Sequence, residues 1–302
     1  MYSIIQKRKI WLSISGLLFV VAVVAIGLWG FKFGIDFTGG SLLEVRFTTP
    51  FNKGGEGGFR PTVTEAQDAL KDLNLGSLTV QPAGEKDMIL RFQDTTEEKH
   101  QEVLNALGGK DKVEELRFDS VGPSIGQELK RKSIYAIFFV LLAIVAYISL
   151  AFRKVSKPVA SWKYGVSALI AMFHDVIITL GVFSVLGKFA DVEINTPFVA
   201  AVLTVIGYSV HDTIVVFDRT RENLPKSNED FAGTVNMSLN QTLVRSINTS
   251  LTVILTLVAV IIFGGPSIRV FASALAIGIF IGTYSSIFVA SPLLVVWEKW
   301  KK

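Results

Sequence analysis

Cysteine is absent from this chain of 302 residues, which excludes disulfides, thiolate metal sites and thiol catalysis. Charged residues are also scarce, at 19% of the chain, and there are only three histidines. The net charge is +4 at pH 7. However, no basic segment is interleaved with aromatic residues, so we expect no nucleic-acid binding. The composition therefore excludes a disulfide-stabilised scaffold and indicates no nucleic-acid partner.

Hydrophobic residues, by contrast, make up half of the chain. They are concentrated in six runs of about 20 residues, the length that crosses a bilayer. We therefore predict a polytopic α-helical membrane protein with six transmembrane helices. The runs lie at about 10–30, 133–152, 165–187, 197–217, 246–264 and 268–296. The predicted domains are a tail with the first transmembrane helix (1–30), an α+β domain (31–132) and a five-helix transmembrane bundle (133–302).

The charges between the runs predict how the chain crosses the membrane. The first run is longer than the apolar core of a signal peptide and has no A-x-A cleavage site after it, so we expect an uncleaved anchor. Every second short segment is basic, which predicts that both termini are cytoplasmic and that 31–132 is extracytoplasmic. The basic residues concerned are Lys7, Arg8, Lys9, Arg153, Lys154, Lys157, Lys163, Arg219, Arg221, Lys226, Lys299, Lys301 and Lys302.

The segment 31–132 has its own alternation of strand and helix signals. Strands are predicted at 41–47, 77–81, 87–92 and 112–118, separated by two helices. Thr62 and Glu65 form a capping box at the start of the first helix, and Thr95 or Thr96 caps the second, which ends at 108–109. The order β-α-β-β-α-β predicts a ferredoxin-like domain. The glycine-rich stretch 54–58 lacks the Lys-Ser/Thr of a phosphate loop, so we expect a flexible turn there.

Polar residues interrupt two of the apolar runs. His174 and Asp175 lie in the third run, and Tyr208, Ser209, His211 and Asp212 lie in the fourth. Ionisable groups at this depth are costly and usually face a bundle interior or mark an ion path. The alternative is that they only fix helix packing through interhelical hydrogen bonds of roughly 1 kcal/mol.

The fifth run carries a possible partner for Asp212. Arg245 begins a polar stripe at helical spacing that continues through Asn248, Thr249, Thr252 and Thr256. From a start near Pro197, Asp212 lies about 22 Å deep in a ~30 Å core, and from a start near Gln241, Arg245 lies about 6 Å deep from the other face. The depths match, so we predict an Asp212–Arg245 ion pair whose separation and return would let the carboxylate bind and release a proton.

Two further features have simpler interpretations. Small residues recur every fourth position in the sixth run, at Ala274, Gly278, Gly282 and Ser286, which predicts close helix contact rather than chemistry. Asp218 and Arg219 lie at the cytoplasmic end of the fourth run, where a helix cap is as good an explanation as a functional role.

Five motifs together resemble the SecF family, the smaller membrane subunits of bacterial SecDF complexes that assist the Sec protein-export channel. They are GIDFTGG (34–40, with Gly34, Asp36, Gly39 and Gly40), VGPSIGQEL (121–129), FHDVIITLGVFSVLG (173–187), GYSVHDTIVVFDRTREN (207–223) and NQTLVRSINTSLT (240–252). The resemblance covers nearly the whole chain, with the motifs in the right order.

The resemblance implies a relative of the resistance-nodulation-division transporters in the bacterial cytoplasmic membrane. It implies a proton-motive-force-dependent pull on emerging preproteins. The family's functional Asp falls on Asp212 and its Arg on Arg245, whereas His211 replaces an Asn common in the family and adds a titratable group. Implied partners are a SecD-like subunit that carries the remaining acidic residues, a SecYEG-like channel with accessory membrane subunits, preproteins and protons.

Three alternatives remain. The chain could be half of a lipid or small-molecule exporter, although the insert shows no apolar ligand pocket. It could be a structural subunit that stabilises SecD. An intramembrane metalloenzyme would use His174, Asp175, His211 and Asp212, but each His-Asp pair points about 100° apart on its helix. We therefore expect no enzyme activity, no metal and no cofactor.

Overall fold

The computed structural model describes residues 2–49, 60–151 and 160–299. The glycine-rich stretch 54–58 and the basic residues Arg153, Lys154 and Lys157, on which the sequence made predictions, lie outside these ranges. The chain divides into two compact units, a sheet unit of residues 33–132 and a helical unit of residues 1–32 and 133–302.

The sheet unit has the predicted element order. A short helix, α2, precedes a four-stranded antiparallel sheet of order β2-β3-β1-β4, in which two helices connect the strands as β-α-β-β-α-β. This order is that of the split βαβ arrangement. The elements are α2 (Ile35–Thr38), β1 (Gly40–Phe47), α3 (Val63–Leu70), a 3₁₀ turn (Lys71–Leu73), β2 (Thr79–Ala83), β3 (Asp87–Phe92), α4 (Glu97–Ala106) and β4 (Val113–Val121).

One face of the sheet forms the core of this unit. Alternate residues of β3, Met88, Leu90 and Phe92, are buried, as expected for a strand with one covered face. The predicted capping box is present, because the Thr62 side chain accepts from the Glu65 backbone N–H and the Glu65 carboxylate accepts from the Thr62 backbone N–H. The predicted bounds of three strands were inexact, since β1 starts one residue earlier at Gly40, β2 lies at Thr79–Ala83 and β4 at Val113–Val121.

The helical unit contains the six predicted spans, which are confirmed in number and order. Each helix is long and apolar enough to cross a bilayer. The helices are α1 (Arg8–Trp29), α5 (Pro123–Ala151), α6 (Ser161–Phe189), α7 (Thr196–Asn223), α8 (Phe231–Phe263) and span six, which consists of α9 (Pro266–Ser285), a π-helical turn (Ser286–Ala290) and α10 (Ser291–Lys299).

Small residues bring these helices together. A Cβ built on Gly278 of α9 would lie 2.3 Å from a methyl of Val205 on α7, and one built on Gly181 of α6 would lie 2.5 Å from the Cβ of Ala22 on α1. The small-residue ridge predicted for span six thus packs against α7 of the same chain. Span six is the most enclosed of the spans, whereas α8 is largely exposed beyond its first turns.

Candidate functional site

A carboxylate in α6 connects three helices at the centre of the bundle. Asp175 is completely buried. Its Oδ2 accepts hydrogen bonds from Ser209 Oγ of α7 at 2.5 Å and from Ser285 Oγ of α9 at 2.6 Å. Its Oδ1 lies 2.9 Å from His174 Nδ1. All interhelical contacts of this carboxylate are therefore hydrogen bonds, the arrangement that makes a buried polar group tolerable.

His174 is the immediate neighbour of Asp175 in sequence and also contacts it. We expected the two side chains to diverge by about 100°, but the imidazole reaches back to the carboxylate. Its other ring nitrogen, Nε2, is buried without a partner among the described residues, and its ring stacks against Phe19 of α1. The pair therefore acts as one unit, with His174 orienting Asp175.

Asp212, three residues after Ser209 on α7, has a very different environment. It is only 4% exposed, and the hydroxyl groups of Ser246 on α8 and Thr283 on α9 face it. Even so, both Asp212 Oδ2 and Ser246 Oγ have no hydrogen-bond partner within the described ranges. An acceptor and a donor thus lie buried in the same site, close to each other but without a well-aligned hydrogen bond, a state that carries a cost in free energy.

A chain of hydroxyl groups adjoins Asp212. Tyr208 Oη lies 3.1 Å from Ser250 Oγ, which lies 2.5 Å from Thr283 Oγ1. Thr283 also donates to the backbone carbonyl of Ile279. These groups can each pass and accept a proton, because a hydroxyl is both donor and acceptor.

The predicted ion pair between Asp212 and Arg245 is not present in this structure. Arg245 is exposed and makes no salt bridge with Asp212. The polar stripe that it begins is exposed as a whole, namely Arg245, Asn248, Thr249, Thr252 and Thr256. His211 is exposed as well. The depth estimate did not fix the direction of the side chain, because one residue of helix rotates it by about 100°.

A different stripe of α8 faces the bundle. Residues with small hydroxyl side chains recur every fourth position and are buried, namely Thr234, Ser238, Thr242, Ser246 and Ser250. Sequence reasoning passed over them in favour of the larger polar residues. The signal was available, since small hydroxyl residues at a spacing of four are typical of helix interfaces in membranes.

The π-helical turn of span six lies beside this site. Ser286, its first residue, shares a 2.9 Å hydrogen bond with Thr213 of α7 and accepts at its carbonyl from Ser291 Oγ, five residues on. Ser285 precedes the turn and binds Asp175. Single π turns in long helices occur frequently at functional sites. Neither Ser285 nor the π turn was predicted from the sequence.

The motif 34–40 has a structural role within the sheet unit. Gly39 and Gly40 both adopt positive φ, at 75° and 124°, and a Cβ on either would lie 2.8 Å from backbone, that of Pro123 or the carbonyl of Phe92. A Cβ on Gly126 would meet the backbone N of Gly39 at 2.9 Å. The motifs 34–40 and 121–129 are therefore packed backbone to backbone, which only glycine permits.

The other two predicted residues of that motif lie at the start of α2. Gly34 immediately precedes the helix, and its backbone carbonyl accepts from the Thr38 backbone N–H and side chain, while Asp36 lies in the first turn. An acidic residue at this position suits the positive end of the helix dipole.

The metal-ligand alternative concerned His174, Asp175, His211 and Asp212, all in the described part of the chain. No group of three or more His, Asp or Glu side chains there is arranged to hold a metal ion. In particular, Asp175 already accepts two serine hydroxyls on Oδ2, and His211 is directed away from the bundle.

Two family models match the chain. The first, described as the protein export membrane protein SecD/SecF C-terminal region, matches residues 100–300, and the second, the SecD/SecF GG motif, matches residues 29–51. This chain belongs to the SecF family of protein-export membrane proteins. The GG motif contains Gly39 and Gly40, and the larger match contains both buried carboxylates.

Curated relatives share the full length of this SecF-family chain. The protein translocase subunit SecF of Thermobaculum terrenum is 43% identical over 99% of this chain and 94% of its own length. That of Desulfurispirillum indicum is 41% identical over 97% and 90%. Identity of this extent supports the same fold throughout.

Solved structures of SecDF also resemble this chain in fold. The crystal structure of SecDF from Thermus thermophilus, a translocon-associated membrane protein, superposes with a TM-score of 0.82 at 32% identity over 99% of this chain. A SecDF structure in a super-membrane-facing form gives a TM-score of 0.68. This chain spans 39% of the length of those SecDF chains. It is a multi-pass membrane protein equivalent to one part of them.

Proposed function

We propose that this chain is the SecF subunit of a SecDF complex that assists Sec-dependent protein export across the bacterial cytoplasmic membrane. In this proposal the proton motive force drives export through protonation of Asp212, and the chain is a transport subunit rather than an enzyme. The observation that carries the proposal is the unused carboxylate oxygen of Asp212, buried beside the unused hydroxyl of Ser246.

A buried carboxylate with a free oxygen is suited to bind a proton reversibly. The hydroxyls of Ser246 and Thr283 can turn to donate to the ionised form or to accept from the protonated form, because each can do both. Asp175 is less suited to this role, since two serine hydroxyls already donate to it and His174 contacts its other oxygen. This difference supports Asp212 as the proton-binding group.

The exposure of Arg245 supports the presence of a partner subunit. A guanidinium at the centre of a spanning helix costs about 2.5–3.5 kcal/mol, and charges within spans usually pair with another group; Arg245 is exposed in α8 with no salt bridge to Asp212. The solved relatives are SecDF chains, of which this chain spans 39%, whereas the curated relative of Thermobaculum terrenum, a SecF subunit, is covered over 94% of its length. We propose that a SecD subunit covers the exposed stripe and brings an acidic side chain to Arg245.

Replacing Asp212 by Asn tests the proton-coupling role. We expect proton-gradient-dependent stimulation of preprotein export into membrane vesicles to fall to the level seen without this subunit. Asp218→Asn is a matched control, since Asp218 on the same helix pairs with Arg221 at the surface. Full stimulation by Asp212→Asn would instead support the structural-subunit alternative.

Replacing Arg245 tests the partner surface. Arg245→Gln should lower both the recovery of SecD with the tagged subunit and export, whereas Arg221→Gln, which removes a cation paired with Asp218 at the surface, should leave both unchanged. Normal recovery of SecD with lost export would place Arg245 in proton coupling alone. Recovery of a self-contained oligomer without SecD or channel subunits would contradict the proposed assembly.

The proposed orientation places both termini in the cytoplasm and residues 31–132 outside. Because the chain lacks cysteine, single substitutions at exposed positions give an unambiguous test. We expect Glu98→Cys to react with a membrane-impermeant thiol reagent added to intact cells or spheroplasts, and Lys226→Cys to react only after the membrane is opened. The reverse pattern would overturn the orientation.

A further inference from the structure

An apolar groove opens between the N-terminal segment and the helices α1, α8 and α9. Its volume is about 630 Å³, within the roughly 300–1,000 Å³ typical of small-ligand sites. Its walls are aliphatic and aromatic, and Leu243, Ile247, Leu251, Ile254, Phe280 and Ile287 are among them. A groove of this composition accepts hydrocarbon rather than water or ions.

One end of the groove is polar and structurally fixed. Asn236 and Asn240 of α8 hold the N-terminal segment, since Asn240 Oδ1 accepts from the Tyr2 N–H at 2.7 Å and Asn236 Oδ1 accepts from the Ile4 N–H at 3.0 Å. Lys7 follows on this segment and lines the groove. It precedes the first residue of α1 and therefore lies at the membrane surface.

The cations at this end have no acidic partner. Lys7, Arg8 and Lys9 make no ion pair within the described ranges, although Arg8 donates to the Ile5 carbonyl. A basic cluster beside a span attracts anionic lipid headgroups. Only Lys7 of the three also lines the groove, which joins a positive charge to a hydrocarbon-binding surface.

The position of the groove favours a lipid chain as its occupant. Leu251 and Phe280 in its wall are exposed on the spanning helices α8 and α9. The surroundings of such a helix in a bilayer are hydrocarbon. An acyl chain therefore has direct access to the groove.

We propose that this groove binds an anionic phospholipid, with the phosphate at Lys7 and one acyl chain along α8 and α9. Ser250 and Thr283 line the groove and also belong to the hydroxyl chain beside Asp212. The lipid would therefore pack directly against the wall of the proton-binding site. The proposal does not depend on the proposed function and is tested separately from export.

Fluorescence quenching provides the test, because Trp11 lines the groove. The full-length protein is placed in phosphatidylcholine vesicles that contain either brominated phosphatidylglycerol or brominated phosphatidylcholine at the same small mole fraction. We expect stronger quenching by the anionic lipid, and we expect Trp11→Phe to remove that difference. The four other tryptophans serve as internal references.

Matched charge variants locate the headgroup. Lys7→Gln should lower the preference for phosphatidylglycerol by about fivefold, the factor that corresponds to about 1 kcal/mol per lysine at an anionic surface. Lys9→Gln, two residues away but outside the groove, should retain the preference. A bulky substitution in the wall, Leu251→Phe, should weaken quenching by either lipid.

Three results would overturn the proposal. Equal quenching by both lipids would exclude recognition of the headgroup. Equal effects of Lys7→Gln and Lys9→Gln would indicate only a diffuse surface charge. A loss of SecD binding in Leu251→Phe, with unchanged quenching, would show that a protein partner occupies the groove.

Discussion

Two carboxylates lie buried in neighbouring spans of this chain, and their surroundings differ in kind. Asp175 receives hydrogen bonds from two serines of two other helices and is oriented by His174. Asp212 keeps one oxygen without a partner, although hydroxyl groups surround it. Burial alone therefore does not distinguish the two carboxylates, whereas the hydrogen-bond partners of their oxygens do.

The difference has a local cause. Gly282 faces Asp175, and a Cβ there would lie 3.7 Å from Asp175 Oδ2 and 3.2 Å from the Cβ of Ser209. The missing side chain allows α6, α7 and α9 to meet closely enough for short hydrogen bonds. Asp212 lies where α7 meets α8, which is exposed over most of its spanning length.

The largest difference between the two carboxylates should appear in the free energy of unfolding. Asp175→Ala removes the acceptor of three hydrogen bonds, and at roughly 0.6–1.7 kcal/mol each we expect a loss of about 2–5 kcal/mol. Asp212→Ala should cost much less, because one oxygen makes no hydrogen bond in the folded state. Unfolding in mixed detergent micelles, followed by circular dichroism, measures both. Equal losses of stability in the two variants would contradict the difference proposed between Asp175 and Asp212.

A methyl group added at a close helix contact should have the next largest effect on the free energy of unfolding. In Gly278→Ala the new methyl would overlap the buried Val205, and overpacking of this kind costs about 1–3 kcal/mol. Gly207→Ala on α7 meets nothing within 4 Å, so it should be neutral or should stabilise by up to about 1 kcal/mol. Thermal unfolding of the two variants in the same detergent tests this pair, and a destabilised Gly207→Ala would contradict it.

Removal of single hydroxyl groups should further distinguish the Asp175 site from the Asp212 site. Ser285→Ala removes one hydrogen bond to Asp175 and should cost about 1 kcal/mol. Ser246→Ala removes a hydroxyl that makes no well-aligned hydrogen bond, so it should cost less stability than Ser285→Ala, while it impairs proton-driven export. The same unfolding assay, combined with vesicle export, separates the two, and a strongly destabilised Ser246→Ala would refute the assignment.

Asp87, a half-buried carboxylate of the sheet unit, should show the smallest effect on stability. Arg46 donates two hydrogen bonds to Asp87 and lowers the pKa of that carboxyl below its ordinary value. The pair therefore stabilises the sheet unit fully above the ordinary Asp pKa of about 3.9, and this contribution is lost as the pH falls through the lowered folded-state pKa. Hydrogen exchange of the β1 and β3 amides, corrected for intrinsic rates, should show this change and lose it in Asp87→Asn. An unchanged pH dependence in that variant would exclude the pair as its source.

Much of the fold could be predicted because it depends on local or periodic signals. Six apolar runs gave six spans, and turn and cap residues such as Thr62 and Glu65 gave the order of strands and helices in the sheet unit. The small residues of span six predicted close contact, and Gly278 makes it with α7. These signals need no knowledge of which elements are neighbours.

The candidate site could be predicted only in part, because it depends on the rotation of helices about their axes. The rise per residue gave similar depths for Asp212 and Arg245, but neighbouring helices decide which side chain faces inward. On α8 that side chain is Ser246, one residue after Arg245. Ser285 escaped prediction because its role depends on Asp175, which is 110 residues away in sequence.

The pairing of β1 with β4 has a mechanical consequence. Gly40, the first residue of β1, pairs with Val121, the last residue of β4, so both connections of the sheet unit leave from one end of the same ladder. Tension that separates the two connections would break the hydrogen bonds between β1 and β4 one residue pair at a time, starting at Gly40 and Val121. It would not load all of these hydrogen bonds at once. The backbone contacts of Gly39 with Pro123 and Gly126 lie at that end and would be the first to bear the load.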